Sequence, residues 1–203
     1  MSDIMQNGEK HAWDVLTGLE PGDVCRRAAA DFDHSAGCFR LRIFSRDISV
    51  SVRDRHISGG SVVIDSWLER LTGHARLSAL WYLISARDVP FTGKLVKPGE
   101  MGGGDIYERG THVFPLDNIA EKYGTDVSAF LERGRKLGGE QEVYGDASIR
   151  LTPFPRVQVV LLLWKKDPEF AARAGLLFDS SARYSLPVDI IWSTAMMSLL
   201  AML

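Results

Sequence analysis

Cysteine is scarce in this 203-residue sequence, which contains only Cys25 and Cys38 with twelve residues between them. Two cysteines at this spacing form no CxxC pair and provide no second pair for a zinc site. They are also too few for a disulfide framework or an iron–sulfur cluster. A chain with so little cysteine is typical of a reducing compartment, so the sequence predicts a cytoplasmic protein.

An excess of charge of one sign is also missing. Lys and Arg number 24 against 26 Asp and Glu, for a net charge of −2, so no global positive field attracts nucleic acid. The longest uncharged apolar tract, residues 190–203, has 14 residues, whereas a membrane-spanning helix needs about 20. The N-terminal "MSDIMQNGEKHAWDVL" has no apolar core typical of a signal peptide. We therefore expect a soluble protein without nucleic-acid or membrane partners, whose last helix is buried or forms an interface with a partner or a second copy.

The patterns that are present predict an α+β fold. "GDVCRRAAADFD" has helical periodicity, "CFRLRIF" and "ISVSV" alternate as an antiparallel hairpin, "SVVID" is predicted as a third strand, and a helical stripe follows. A second helix, "GTDVSAFLERGRKLGG", is followed by the strands "DASIRLTPF", "RVQVVLLLW" and "GLLFD" and by an apolar helix. Each half thus reads α-β-β-β-α with a mainly antiparallel sheet.

The spacing between the halves indicates an internal duplication. The offset is 149 − 39 = 110 for Phe39 and Ile149, and 179 − 65 = 114 for Asp65 and Asp179. Similar offsets in the same order predict a pseudo-two-fold molecule with a first repeat at 1–88, a connector loop at 89–115 and a second repeat at 116–203, forming one compact globular unit. The alternative is that the halves are two unrelated segments, each with an aspartate between a strand and a helix.

Familiar catalytic motifs are absent. The glycine-rich stretch "KPGEMGGGDIYERG" matches neither a P-loop nor a dinucleotide-binding fingerprint, and Ser61 misses the nucleophile elbow Gly-x-Ser-x-Gly. The five histidines are scattered, so no metal site is predicted. Whether the protein is an enzyme, and which cofactor it uses, stays open.

Two features remain as candidate ligand-binding sites. Asp65 and Asp179 each follow an apolar segment and precede a serine; as a pair they could share a proton or bind a cation, whereas singly each would accept backbone N–H groups in a turn. The long connector offers Thr92, Lys94 and Tyr107, and Arg156 lies in the second half. A loop of this length in a compact domain is often functional.

The stretch from about Leu77 to Ile190 resembles a family known only as a domain of unknown function. Five motifs in the second half carry the likeness, and a Leu-x-Tyr-Leu helix and a Pro-x-Thr-Gly loop add to it upstream. The motifs are Leu137-Gly138-Gly139, Asp146-Ala147-Ser148, Pro155-Arg156-Val157, Trp164 with Asp167-Pro168-Glu169-Phe170, and Leu177-Phe178-Asp179-Ser180-Ser181-Ala182. The resemblance implies anaerobic bacteria and archaea, where some members carry an added iron–sulfur module; the cysteines for such a module are absent here.

Two interpretations of function follow. The first is a binding or accessory domain that works with a redox or cofactor-handling partner in anaerobic metabolism. The second is an enzyme, or a binder of a tetrapyrrole or corrinoid cofactor, with its pocket between the two repeats. Trp81, Tyr82, Tyr107 and Trp164 are the aromatic residues predicted either to line such a pocket or to belong to the core.

Overall fold

Helices and strands alternate in blocks along the chain. A computed structural model of the protein describes residues 3–101 and 113–203, with the backbone alone for residues 3–6. The helices of this part are α1 (Asp3–Thr17), α2 (Pro21–Ala28), α3 (Val62–Arg70), α4 (Thr72–Ser85), α5 (Leu116–Tyr123), α6 (Val127–Lys136), α7 (Ala182–Ser185) and α8 (Val188–Met202). A short 3-10 helix covers Pro98–Met101.

The strands form two antiparallel sheets. They are β1 (Asp31–Asp33), β2 (Cys38–Ile43), β3 (Arg46–Ser51), β4 (His56–Ser58), β5 (Leu95–Val96), β6 (Glu140–Glu142), β7 (Ala147–Phe154), β8 (Val157–Trp164) and β9 (Arg173–Asp179). The first sheet has the order β1-β2-β3-β4, and the second has the order β5-β9-β8-β7-β6. The predicted α+β class with mainly antiparallel sheets is confirmed.

Most of the predicted elements lie where the sequence patterns place them. The hairpin of β2 and β3 pairs Ile43 with Arg46 across a two-residue turn. Helix α6 begins after Asp126, whose carboxylate accepts the N–H of Ala129 at 2.9 Å as an N-cap. The three predicted strands of the second half are β7, β8 and β9.

The third strand predicted in the first half, "SVVID", is wrong. These residues open helix α3, because the Ser61 hydroxyl caps the N–H of Ile64. Val62 and Val63 are about 80% exposed there, so the apolar run does not enter the core as a strand would. The strand that completes this part of the sheet is β4, three residues upstream of Ser61.

Each half now has the order helix–helix, four strands, helix–helix, with β5 and the 3-10 helix between them. The observed unit is therefore longer than the predicted α-β-β-β-α. The duplication and the boundaries at 88 and 115 stay predictions. The predicted connector is not a plain loop, since its described part contains β5, which pairs with β9.

One hydrophobic core contains residues of both halves. Its largest fully buried side chains include Phe39 from the first sheet, Phe154 from the second, and Tyr82 from α4. Helix α8 packs against α4 and against the second sheet, as its uncharged sequence requires. None of the helices in the described residues has both the length and the apolar character needed to cross a lipid bilayer.

Candidate functional site

An apolar pocket of about 500 Å³ lies beside the second sheet. Strands β8 and β9 form its floor, and the connector and the start of α5 form its wall. The lining residues are Lys97, Pro98, Gly99, Val113, Phe114, Leu116, Leu162, Trp164, Ala174, Gly175, Leu176 and Leu177. This volume and this apolar lining are typical of a small-molecule site.

The floor of the pocket has free space above it because Gly175 of β9 has no side chain. Gly175 pairs with Leu162 across the ladder of β8 and β9. A Cβ added at Gly175 would lie 3.4 Å from Trp164 Cζ3 and 3.6 Å from Leu162 Cδ1, which is ordinary van der Waals contact. A larger side chain at this position would therefore extend over the indole and the leucine, into the pocket.

The indole of Trp164 also contacts a cation. The Arg173 guanidinium lies 5.4 Å from the centroid of the Trp164 ring, within the range of a cation–π contact. Among the described lining residues, Lys97 is the only one with an ionisable side chain. The pocket thus offers apolar and aromatic surface with one positive charge at its rim.

Asp179, the last residue of β9, fixes the connector that forms the wall. Its Oδ1 accepts the N–H and the hydroxyl of Thr92 at 3.1 and 3.0 Å, and its Oδ2 accepts the N–H of Gly93 at 2.7 Å. The N–H and hydroxyl of Ser181 add bonds of 2.9 and 2.6 Å to Oδ1. Gly93 has a φ of +71°, a backbone conformation that glycine adopts without strain.

The Asp179 carboxylate is ionised although the residue is only 2% exposed. Burial by itself would raise its pKa, but the hydrogen bonds from Ser181 and Thr92 outweigh burial and hold the pKa below the ordinary value of an aspartate. The five bonds satisfy the acceptors of this carboxylate within the protein. Asp179 therefore acts as an anchor for the connector, which agrees with the single-aspartate alternative of the sequence prediction.

The same contact extends through the neighbouring hydroxyl and backbone groups. The Thr92 and Ser180 hydroxyls lie 2.8 Å apart, and Ser180 N donates to the carbonyl of Lys94 at 2.8 Å. Lys94 contributes its backbone, while its side chain is exposed. The ladder then continues as the pairs Leu95–Asp179 and Val96–Phe178, which bring the chain to Lys97 at the pocket.

Asp65 is not equivalent to Asp179, because it lies in the first turn of α3 and not at the end of a strand. Its Oδ1 accepts the N–H of Gly59 at 2.6 Å, which joins β4 to α3. The structure thus places the two aspartates in different local settings, each with its own backbone partners. Their predicted equivalence is wrong, since it depended on the misassigned third strand.

Arg156 belongs to a contact between the halves and does not line the pocket. Its guanidinium pairs with Asp88 at 2.6 Å, and its backbone N–H donates to the Tyr82 hydroxyl at 3.1 Å. That hydroxyl donates in turn to the carbonyl of Ala28 at 2.7 Å. Burial raises the pKa of Tyr82 far above its ordinary value, so the phenol stays neutral.

Of the predicted site residues, Thr92, Lys94 and Asp179 come together, whereas Asp65 and Arg156 lie elsewhere. Tyr107 and the glycines at 102–104 lie outside the described residues. Of the predicted aromatics, Trp164 lines the pocket, while Tyr82 is a core residue stacked on Phe154 at 4.6 Å. Within the described parts of the chain, no group of three or more His, Cys, Asp and Glu side chains could hold a metal ion.

Several pocket residues were not found from the sequence, among them Lys97, Leu162 and Gly175. Leu162 and Trp164 share a face of β8, but the continuous run "VVLLLW" hides this alternation, since both faces of the strand are apolar. The glycine in "RAGLLFD" was the available signal, because an isolated glycine within a strand often marks a place where something else approaches.

Comparison with models of known protein families identifies the family of this chain. The model of the family described as a domain of unknown function, DUF3786, matches residues 20–200. The chain therefore belongs to this family, which confirms the expectation of a domain of unknown function. Two of the motifs that carry the resemblance are in contact. Thr92 and Gly93 of Pro-x-Thr-Gly donate hydrogen bonds to Asp179, which belongs to Leu-Phe-Asp-x-Ser-Ala. No curated protein and no solved structure matches the chain.

Proposed function

We propose that this chain is a ligand-binding domain. Its pocket binds a mainly apolar, aromatic small molecule that carries a negatively charged group. The observation that carries the proposal is the opening over Leu162 and Trp164 at Gly175, in a pocket whose described lining has Lys97 as its one ionisable side chain. Apolar surface supplies affinity, and a few placed polar groups supply orientation. A ligand carboxylate or sulfonate would face Lys97.

This proposal keeps the ligand-binding part of the second sequence interpretation and moves its location. The lining residues belong to the connector and the second half, so the pocket supports a site beside the second sheet and not one between the repeats. The redox or cofactor-handling partner in anaerobic metabolism stays a prediction from the family resemblance. Its test is native mass spectrometry of anaerobically purified protein, where a bound chain or small molecule appears as excess mass.

Anilinonaphthalene sulfonate is a suitable first probe, because it combines an aromatic body with one negative charge. We expect saturable binding to the native protein, followed by probe fluorescence. Gly175→Leu should weaken binding at least about tenfold, since its side chain fills the opening. Lys97→Met should weaken it by a smaller factor that disappears at high salt.

Gly18→Leu is the matched control, because Gly18 is exposed and its added Cβ would meet only the Val15 carbonyl at 3.5 Å. A second control, Val62→Ser with Val63→Ser, removes the exposed valines that also attract such dyes. Both controls should bind the probe like the native protein. Equal binding by Gly175→Leu and native protein, at equal melting temperature, would remove the pocket as the site.

Hemin tests the predicted tetrapyrrole class, since it is flat, apolar and carries carboxylates. A shifted Soret band that Gly175→Leu abolishes would support a tetrapyrrole ligand in this pocket. Binding of the sulfonate dye without binding of hemin would restrict the pocket to smaller aromatic anions.

A further inference from the structure

Helix α3 has an exposed face that the described part of the chain leaves uncovered. Five of its nine residues are exposed and line one shallow depression in the surface, namely Val62, Val63, Ser66, Glu69 and Arg70. The first two are 81% and 80% exposed, whereas the inner side of the same helix buries Trp67 and Leu68. Two neighbouring valines with this exposure are typical of an interaction surface.

The helical register sorts these five residues into a centre and two sides. Successive residues of an α-helix are about 100° apart around its axis, so Ser66 lies in the middle of the face. Val62 and Glu69, which are two turns apart, lie on one side of it. Val63 and Arg70 lie in the same way on the other side. Each side thus begins with a valine and ends with a charge, and the two charges have opposite signs.

The two charges are not neutralised within the described chain. Residues that follow each other directly on a helix do not face each other, so Glu69 and Arg70 cannot pair on their own helix. Neither side chain has an ion pair or a hydrogen bond with a described residue. Both are therefore available to a partner, which must offer the opposite charge on each side of the face.

We propose that α3 binds the α3 of a second copy of this chain, with the two helices parallel about a two-fold axis. Such a rotation brings each side of the face against the other side of the same face in the second copy. Val62 then meets Val63 of the second copy, and Glu69 meets Arg70 of the second copy, each contact occurring twice. The small side chain of Ser66 at the axis lets the two helices approach closely.

Charge complementarity selects this partner and this orientation. In an antiparallel pair each side of the face would meet the same side of the second copy, so the valines would lie against Glu69 and Arg70. The parallel pair matches valine with valine and acid with base, as flanking charges do in parallel coiled coils. A second copy offers this arrangement through symmetry alone.

The face is small, so the dimer should be weak. A helix of nine residues is about 13 Å long, and a stable complex usually buries about 1,600 Å² in total. The last helix, α8, does not offer a comparable face, since most of its residues are buried in the core of the chain itself.

Sedimentation velocity of the full chain tests the interface, at protein concentrations from about 5 to 500 μM. We expect the native protein to change from monomer to dimer across this range, with a dissociation constant of about 10–100 μM. Val62→Ser with Val63→Ser should raise this constant at least about tenfold, because the double change removes the apolar contacts.

Charge reversal tests the pairing of Glu69 with Arg70. Arg70→Glu gives the face two negative charges and Glu69→Arg gives it two positive charges, so each variant alone should stay a monomer. An equimolar mixture of the two variants should form a dimer like that of the native protein, since every glutamate again meets an arginine. Arg53→Glu is the matched control, because Arg53 is exposed and lies outside α3; it should dimerise like the native protein.

The outcomes separate the alternatives. A native protein that stays monomeric at the highest concentration would overturn the proposal, as would a dimer that the double valine variant retains. Charge-reversed variants that dimerise like the native protein, or a mixture of them that stays monomeric, would overturn the parallel pairing. All of these substitutions are at exposed positions, so a native melting temperature at low concentration shows that a monomeric variant is folded. Gly175→Leu should dimerise like the native protein, which separates this test from that of the pocket.

Discussion

The two sheets use their outer faces differently. In the first sheet, Arg40 and Arg42 of β2 are exposed between buried Phe39, Leu41 and Ile43. In the second sheet, β8 is buried along nearly its whole length, and Val160 and Leu162 on the outer face are 2% and 7% exposed. One sheet therefore has a face in water, while the other is covered on both sides.

The cover on the second sheet comes from the connector and α5, and this difference explains where the pocket lies. A sheet face in water presents a flat surface, whereas a face with a second layer above it can enclose a volume wherever the layers do not fill it. Gly175 leaves such a gap beneath the connector. The following predictions test this difference between the two sheets, beginning with Asp179, which anchors the connector over the second sheet.

Asp179→Asn should have the largest effect on stability. The asparagine amide nitrogen cannot accept the N–H of Gly93 or replace the charge that five donors surround, so we expect a loss of at least about 3 kcal/mol in the free energy of unfolding. The same change in the first half, Asp65→Asn, should cost about 1 kcal/mol or less, since an amide oxygen still accepts the Gly59 N–H. Urea unfolding of both variants measures the contrast, and equal losses would contradict it.

The Asp179 effect should also depend on pH in one direction. Its folded pKa lies below the ordinary aspartate value, so its contribution is fully present above the unfolded pKa of about 3.9. It is lost as the pH falls through the lower folded pKa. The difference in stability between the native protein and Asp179→Asn should therefore shrink below about pH 4. A difference that stays constant down to pH 2 would show that ionisation is not involved.

Val160→Ser tests the covered face, and Arg42→Ser tests the face in water. We expect a loss of about 2 kcal/mol for Val160→Ser, because it removes buried methyl groups and buries a hydroxyl. Arg42→Ser removes only an exposed ion pair with Asp47, so its unfolding curve should nearly match that of the native protein. Similar losses at the two positions would mean that the outer faces are not different.

Tyr82→Phe tests the contact that joins the halves and should have the smallest effect of the three pairs. The change leaves the Ala28 carbonyl and the Arg156 N–H without their partner, for a loss of about 1–2 kcal/mol. Tyr184→Phe is the control, since Tyr184 is 50% exposed and the change should have little effect. Urea unfolding of both variants measures the difference in their unfolding free energies. An unchanged midpoint for Tyr82→Phe would exclude a role for this hydroxyl in joining the halves.

Five elements of the second half were predictable from its sequence because their signals are local, whereas the short elements α5, β6 and α7 were not predicted. Strong alternation in β7, the N-cap at Asp126 and the uncharged stripe of α8 each fix an element without help from the rest of the chain. In the first half, "SVVID" has the composition of a strand, but the Ser61 cap decides in favour of a helix. An apolar run of four residues is compatible with either structure, and the cap was the stronger signal.

The site was only partly predictable, since its geometry depends on contacts between distant segments. Thr92, Lys94 and Asp179 were selected because of their positions in a loop and at a strand end, and these positions do meet. The hydrogen bonds between Thr92 and Asp179, and the free space over Leu162, depend on how β5 and β9 pair. No local sequence pattern predicts this pairing.

The anchor at Asp179 also bears on the order in which the protein folds. Thr92 and Asp179 are 87 residues apart, so their hydrogen bonds close one of the longest loops in the chain, and closing such a loop has a large entropic cost. During synthesis the connector emerges before the sheet to which it binds. It therefore gains its place only after β9 has formed, so the amide protons of Thr92 and Gly93 should become protected from exchange no earlier than β9 itself.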